Sequence, residues 1–286
     1  MKKIVIIGNS AAGIAAAEAV RDADKESSIT ILSREASYAY DRTKLLRLLA
    51  SQLKERELVY RNADFYRNHA IDLRLEAQAV ELNLSKRKVI LKDDTFVPFD
   101  ALLLATGRQV TLPKIKGAQK EGVVALNDLK DIKYILDNLP VAHTVVVVGS
   151  GLLARETARV IAEKKIEVKF LGVLDEPVEG VDVIAQNPLI EILGESEAKA
   201  VRLANQKVIG ASMVIFAQEP APELEILRDT GILTDGGIIV DDAMRTNIDF
   251  VLAAGDVASL DGQEKAGGWD QAMAQGRKAG STLCQM

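Results

Sequence analysis

At 286 residues the chain is long enough for two domains, each with its own core. Apolar residues at 48% and charged residues at 27% are the balance of a globular protein, and a formal net charge of −5 gives no reason to expect nucleic acid or an anionic membrane as partner, since both select a basic surface. The single cysteine, Cys284, excludes intrachain disulfides, CxxC redox pairs and cysteine-held clusters, and His69 and His143 are too few for a histidine-rich metal site, so no metal is expected.

The chain opens Met1-Lys2-Lys3 and enters Ile4-Val5-Ile6-Ile7 at once, a continuous apolar run of the kind that a strand buried on both faces requires. No signal peptide is expected, the uncharged stretch Val141–Ala154 is too short to span a bilayer, and a cytoplasmic protein is the expectation. After the first strand come Gly8-Asn9-Ser10-Ala11-Ala12-Gly13, an alanine-rich helix from Ile14 to about Val20, and a second apolar strand, Ile29–Leu32, that leads to Glu35. This is a βαβ unit with GxSxxG at its first turn. Gly8 allows the tight turn, Ser10 is small enough to let backbone approach a pyrophosphate, and Gly13 lets helix and strand pack closely. The amides of Ala11 and Ala12 open a helix whose N-terminus favours phosphate, and Glu35 stands where an acid accepts hydrogen bonds from a ribose diol.

The unit returns at Thr144–Val148, followed by the turn Gly149-Ser150-Gly151-Leu152-Leu153-Ala154, a helix from Arg155 to Lys164 and a strand at Glu167–Leu171. Two such units predict an α/β fold of two Rossmann-like dinucleotide-binding domains. Two nucleotides in one chain suggest electron or hydride transfer between them.

Further motifs follow in order: Tyr40-Asp41-Arg42-Thr43-Lys44-Leu45, Leu103-Leu104-Ala105-Thr106-Gly107, Met244-Arg245-Thr246-Asn247 leading to Ala253-Ala254-Gly255-Asp256, and Trp269-x-x-Ala272-x-x-Gln275-Gly276. Together with the two glycine turns they resemble, nearly end to end, the FAD/NAD(P)-dependent pyridine nucleotide oxidoreductases of the rubredoxin-reductase and nitrite-reductase-flavoprotein kind. The resemblance implies a discontinuous FAD domain, residues 1–110 plus 241–286, with an NAD(P)-binding-like domain, 111–240, inserted in it. It also implies roles. Gly255 lets backbone come close to FAD, and Asp256 hydrogen-bonds the ribityl chain or a pyrophosphate-side water; a structural role for Asp256 as N-cap of the helix that follows is compatible with this. Arg42, with Lys44 as the weaker candidate, lies near the flavin or its phosphates, or is a solvated loop cation. Ala105, Thr106 and Gly107 pass close to the cofactor, Val80 joins the FAD contacts, and Trp269 packs near the isoalloxazine or in the core. For NAD(H) or NADP(H) the implied residues are Gly149, Gly151, Leu152, Leu153 and Glu156, the last near the nicotinamide amide. The flavin carries the chemistry, with Arg42 and Glu156 as helpers.

The second domain departs from this pattern. Ala154 replaces the third glycine, and the acid expected at the end of the second strand falls on Gly172, with Asp175 and Glu176 just beyond. Ala217 replaces a glycine and puts a methyl group where backbone approaches the nucleotide. Only Gly172–Glu179 separate two parallel strands, where a crossover normally takes a dozen or more residues and a helix; the domain is shortened at 172–179, and one sheet face is left for another element or a partner subunit to cover. The family's C-terminal interface domain is also missing from the sequence, so a truncated member is expected. Two functions follow. The first is an FAD-dependent oxidoreductase that takes electrons from NAD(P)H and exchanges them with a separate redox protein such as rubredoxin or ferredoxin. The second is an FAD-binding electron-transfer or assembly subunit that has lost NAD(P)H binding.

Overall fold

The computed structural model describes residues 1–260 and 267–286. It divides into two units: residues 1–41, 58–108 and 222–286 form the first, and residues 42–57 with 109–221 form the second. Besides a two-residue shift of the boundary expected at 110, this division differs from the sequence expectation in two places, each for a packing reason. Residues 42–57 join the inserted unit because the short helix Leu45–Leu49 buries Leu45, Leu48 and Leu49 and contacts the helix Leu129–Asn138. The chain returns to the first unit at 222, because Ile226, Leu227 and Ile232 belong to that unit's core.

In the first unit the strands Val251–Ala253, Ala101–Leu104, Lys3–Ile7, Ser28–Leu32 and Ile71–Arg74 lie in that order in a parallel sheet. The opening strand is its centre, which explains the unbroken apolar run: Ile4, Val5 and Ile6 are at most 1% exposed. Full burial of each isoleucine is worth about 1.5–3 kcal/mol. An antiparallel meander, Ala79–Asn83, Lys88–Leu91 and Phe96–Pro98, adds Leu82, Val89, Leu91 and Val97 to this core.

The first helix, Ala11–Ala23, is alanine-rich because it has neighbours on two sides. Ala15, Ala16 and Ala17 are fully buried, and the last helix, Trp269–Gln285, presents Gly276 and Gly280 to it. A methyl on Gly276 would lie 2.2 Å from the Ala12 carbonyl oxygen, and one on Gly280 2.5 Å from that of Ala16. Small residues on both partners thus bring two helix backbones together, more closely than any side-chain-bearing pair allows.

In the second unit the strands Val181–Ile184, Glu167–Val173, Thr144–Ser150, Met213–Ala217 and Val123–Ala125 form another parallel sheet in that order. The helices Leu129–Asn138 and Gly151–Glu163 pack on it. The sheet face expected to lie under-covered is filled by a second antiparallel meander, Leu189–Leu193, Ala200–Leu203 and Val208–Gly210. Its Ile192, Val201, Leu203 and Ile209 pack with Val146, Leu171, Val214 and Phe216 in one cluster. The shortened crossover, residues 174–180, runs beside the helix Gly151–Glu163: Glu176 pairs with Arg155, and a methyl on Gly180 would lie 3.5 Å from the Ala162 side chain. No helix among the described residues is long and apolar enough to cross a membrane.

Candidate dinucleotide sites

In the first unit the GxSxxG turn closes tightly at the carboxyl end of the sheet. Gly8 has φ +124°, its amide donates to the Leu32 carbonyl at 2.9 Å, and a methyl there would lie 2.1 Å from the Ala105 carbonyl oxygen. A methyl on Gly13 would lie 1.9 Å from the Gly8 carbonyl oxygen, so the helix start can close on the strand end only with glycine at both places. Ser10 is the N-cap residue, yet its hydroxyl makes no capping hydrogen bond, and no acid stands in the first turn. The first amides of the helix, including those of Ala11, Ala12 and Gly13, are left without a side-chain cap at the positive end of the helix dipole. An anion is what such an end lacks.

Far apart in sequence, the Gly255 turn reaches the same place. Gly255 has φ +80°, a methyl there would lie 2.9 Å from the Ala12 side chain and 3.7 Å from that of Ala272, and its amide donates to Gln275 Oε1 at 2.8 Å. The Trp-x-x-Ala-x-x-Gln-Gly segment is thereby explained: Ala272 leaves room, Gln275 holds the turn, and Gly276 seats the helix. Asp256 is exposed, and Arg108 donates to its carbonyl oxygen at 3.1 Å. Its expected role as a helix N-cap is corrected by the structure, because the strand Ala258–Leu260 follows it, and the next helix among the described residues starts at Trp269.

Among the described residues, two buried side-chain atoms have no hydrogen-bond partner, Asn9 Nδ2 and Thr106 Oγ1. They follow directly on Gly8 and Ala105, the pair whose backbones touch, so both lie on one edge of the sheet. A buried donor left unpaired costs about 1–3 kcal/mol, and two at one spot mark a place built for a polar ligand. Gly107 has φ +71° and open space around it. Glu35 lies three residues past its strand and accepts from the Tyr40 hydroxyl at 2.6 Å. Val80, on the strand Ala79–Asn83, is 43% exposed and lines a cleft of about 890 Å³ with Glu81, Glu223 and Arg228. Trp269 is half-buried and meets Tyr60 edge-on at 5.2 Å, so it is not the core tryptophan that one reading allowed. Arg42 and Lys44 form a 3-10 turn that belongs by packing to the second unit, where Arg42 donates to the Asn127 carbonyl at 3.0 Å.

The second unit repeats the turn. A methyl on Gly149 would lie 2.4 Å from the Ala217 carbonyl oxygen, and Gly151 has φ +73°. Ser150 caps the helix without a side-chain hydrogen bond, again with no acid in the first turn. Leu152 is 67% exposed, and the Leu153 carbonyl accepts from Thr157. Glu156 is held on its own helix by Arg159 at 2.9 Å and Arg155 at 3.3 Å. Two readings of this unit are corrected. Ala217 is fully buried, so its methyl faces packed protein and not a nucleotide. Gly172 is not the acid position. It pairs with Gly149, and a methyl there would lie 1.9 Å from the Gly149 carbonyl oxygen. In the first unit Ile7 pairs with Leu32 and the acid follows three residues later; in the second Val148 pairs with Leu171, so the same step falls on Leu174, beside Asp175 and Glu176.

Sequence reasoning passed over Asn9, Tyr66 and Gln275 as site residues. The available signal was a polar side chain inside an otherwise small and apolar glycine turn, with no local partner to justify it.

Two parallel sheets, each closing a glycine turn on an uncapped helix, define a protein with two dinucleotide-binding folds. The chain belongs to the pyridine nucleotide-disulphide oxidoreductase family, whose model matches residues 2–276. It is 28% identical over 276 residues to the nitrite reductase [NAD(P)H] of Bacillus subtilis (strain 168), which covers 90% of the chain and 34% of that protein. It is 30% identical over 275 residues to the ferredoxin–NAD(+) reductase component of the biphenyl dioxygenase system of Paraburkholderia xenovorans (strain LB400), covering 90% of the chain and 67% of that protein. Among solved structures, the covalent putidaredoxin reductase–putidaredoxin complex superposes with a TM-score of 0.88 over 99% of the chain and 75% of that chain, at 23% identity. The chain thus spans between a third and about two thirds of the length of these curated relatives.

Proposed function

We propose that the first unit binds FAD, that the second binds NADH or NADPH, and that the protein passes electrons from the pyridine nucleotide to a separate redox protein of the rubredoxin or ferredoxin class. The observation that carries this reading is the convergence of Gly8–Gly13 with Gly255 on one edge of the first sheet, where Asn9 Nδ2 and Thr106 Oγ1 lie buried and unpartnered. Family membership and the relatives' names support it, since one is a ferredoxin reductase and both curated relatives are named for a pyridine nucleotide.

Bound FAD supplies the chemistry of accepting a hydride and releasing single electrons. The chain's residues do the rest. The free amides of Ala11, Ala12 and Gly13 receive the pyrophosphate, with Ser10 small enough to admit it. Glu35 accepts from a ribose diol, and the exposed Asp256 carboxylate accepts from the polar chain at the flavin end. Gly107, Gly255 and Ala105 keep side chains out of the cofactor's way, and Trp269 with Tyr60 shields its surroundings from water. In the second unit the amides after Ser150 receive the pyrophosphate of NAD(P)H, and Glu156 is the acceptor for the nicotinamide amide once it leaves one of its two arginines. Cys284 is the one cysteine of this sequence, and the proposed route uses no disulfide between its residues.

The test is anaerobic mixing of the FAD-loaded protein with NADH and NADPH in turn, followed by a rubredoxin or ferredoxin. Flavin bleaching by either nucleotide and reduction of the iron–sulfur protein are expected. A second reading, an FAD-binding subunit without a working nucleotide site, is favoured by the short crossover 174–180 and by the Arg155–Glu176 pair beside the second turn. Bleaching by dithionite but by neither nucleotide would decide for it.

A further inference from the structure

We propose that the Asn9 carboxamide is a cofactor-binding group, held by the Tyr66 hydroxyl so that its NH2 donates to the pyrophosphate in the first unit. This rests on the FAD reading above and adds to it a residue pair and a direction of hydrogen bonding.

Tyr66 lies on the short helix Ala63–Asn68 and is 4% exposed. Its hydroxyl oxygen accepts from the Ala39 amide at 3.3 Å, and its one proton goes to Asn9 Oδ1 at 2.7 Å. This fixes which way the amide faces. A backbone N–H is always a donor, so the phenol must accept from Ala39 and spend its proton on the other neighbour. Turning the amide over would set NH2 against the hydroxyl and leave the phenol proton with no acceptor. The oxygen of Asn9 therefore faces Tyr66 and the NH2 faces away. Burial pushes the phenol up to about 12, so it remains a donor through the whole physiological range. Tyr66 is itself fixed by stacking on Tyr38 at 5.8 Å and by the edge of Phe65 at 5.1 Å.

The NH2 so presented is buried and unpaired. In the chain Asn9 stands between Gly8, whose backbone touches Ala105, and Ser10, the uncapped start of the helix. Every backbone group offered at this helix start is a donor as well. A ligand that satisfies all of them must be rich in acceptors and carry no donors there, and the pyrophosphate is the part of a dinucleotide with that character. Tyr66 acts through Asn9 and is a positioning residue.

The test is FAD affinity of the apoprotein by fluorescence quenching, with thermal melting of each apoprotein as the fold control. Asn9→Ala removes one hydrogen bond to an anion and is expected to raise the Kd about 10-fold or more. Asn9→Asp keeps the size and the acceptor for Tyr66 but turns an anionic oxygen toward the phosphates, and is expected to raise the Kd about 100-fold. Tyr66→Phe frees the amide to rotate and is expected to weaken FAD several-fold by itself, and to add nothing when combined with Asn9→Ala, which a merely structural role would not produce. FAD binding by Asn9→Asp within about threefold of the unaltered protein would overturn the proposal. So would a Tyr66→Phe effect of equal size with and without Asn9→Ala. If Asn9→Asp does not fold, Asn9→Ala and the double variant decide alone. Failure of the unaltered protein to take up FAD would sink the FAD reading first, and this inference with it.

Discussion

Gly172 and Asp131 are two residues whose environment sets a measurable cost. At Gly172 the backbone has φ +155° and the Gly149 carbonyl occupies the space of a side chain. Gly172→Asp, which would install an acid at the end of the strand, is expected to destabilise the second unit by about 1–3 kcal/mol in urea denaturation, because the neighbour is backbone and cannot yield. Leu174→Glu, at the step that corresponds to Glu35, is expected to be tolerated and to shift the preference between NADH and NADPH, read as the ratio of flavin-reduction rates. Asp131 belongs to a capping box with Asp128 at the start of the helix Leu129–Asn138, where it accepts from the amides of Asn127 and Asp128. Burial, with the Asp128 charge beside it, raises its carboxyl from 3.8 to about 6. The folded state therefore holds a proton that the unfolded chain releases between those values. The stability this proton brings is full below about pH 4 and is lost as pH rises through about 6. Asp131→Asn is expected to exceed the unaltered protein by about 1 kcal/mol at pH 8, after allowance for solvent screening, and to gain nothing at pH 4. A loss of stability at pH 8 would show that the cap's charge outweighs its burial.

The pairing of the first and last helices joins architecture to the site at the level of elements. Gly276 seats on Ala12, and the preceding residue, Gln275, holds the Gly255 amide. Alanine is a better helix former than glycine by about 1 kcal/mol. Gly276→Ala is nevertheless expected to destabilise the first unit by about 1–3 kcal/mol net, since its methyl would meet Ala12 backbone. FAD affinity is expected to fall with it, because Ala12 and Gly255 move together; unchanged affinity would separate the helix seat from the site. Periodicity and apolar runs made the central strands and both glycine turns legible in the sequence. They did not reveal the meanders, whose strands are only three to five residues long, nor the fact that the helix Leu45–Leu49 packs with the inserted unit. Nor did they show that Gly172 is fixed by contact with Gly149. Such facts depend on which backbone lies opposite, and a linear pattern carries no record of that. The same holds for Asn9: its neighbours in the chain are legible, its partner Tyr66 is not.

For the molecule as a whole, two similar units carry unequal prospects. The first brings two distant turns, buried unpaired donors and an uncapped helix to one edge. The second has the turn and the uncapped helix, with Glu156 tied to two arginines and a crossover of residues 174–180. Glu156→Gln is expected to slow anaerobic flavin reduction by NADH or NADPH while leaving FAD bound; an unchanged rate would return Glu156 to a role in its helix alone. On the proposed reading, Gly8–Gly13 and Gly255-Asp256 clasp one cofactor. Its most direct measurement is a titration of the apoprotein with FAD, followed by flavin absorbance and paired with Asp256→Ala. Saturation at one FAD per chain, with affinity lost in the variant, is the expected result, and absence of any saturable FAD binding by the unaltered protein would contradict it.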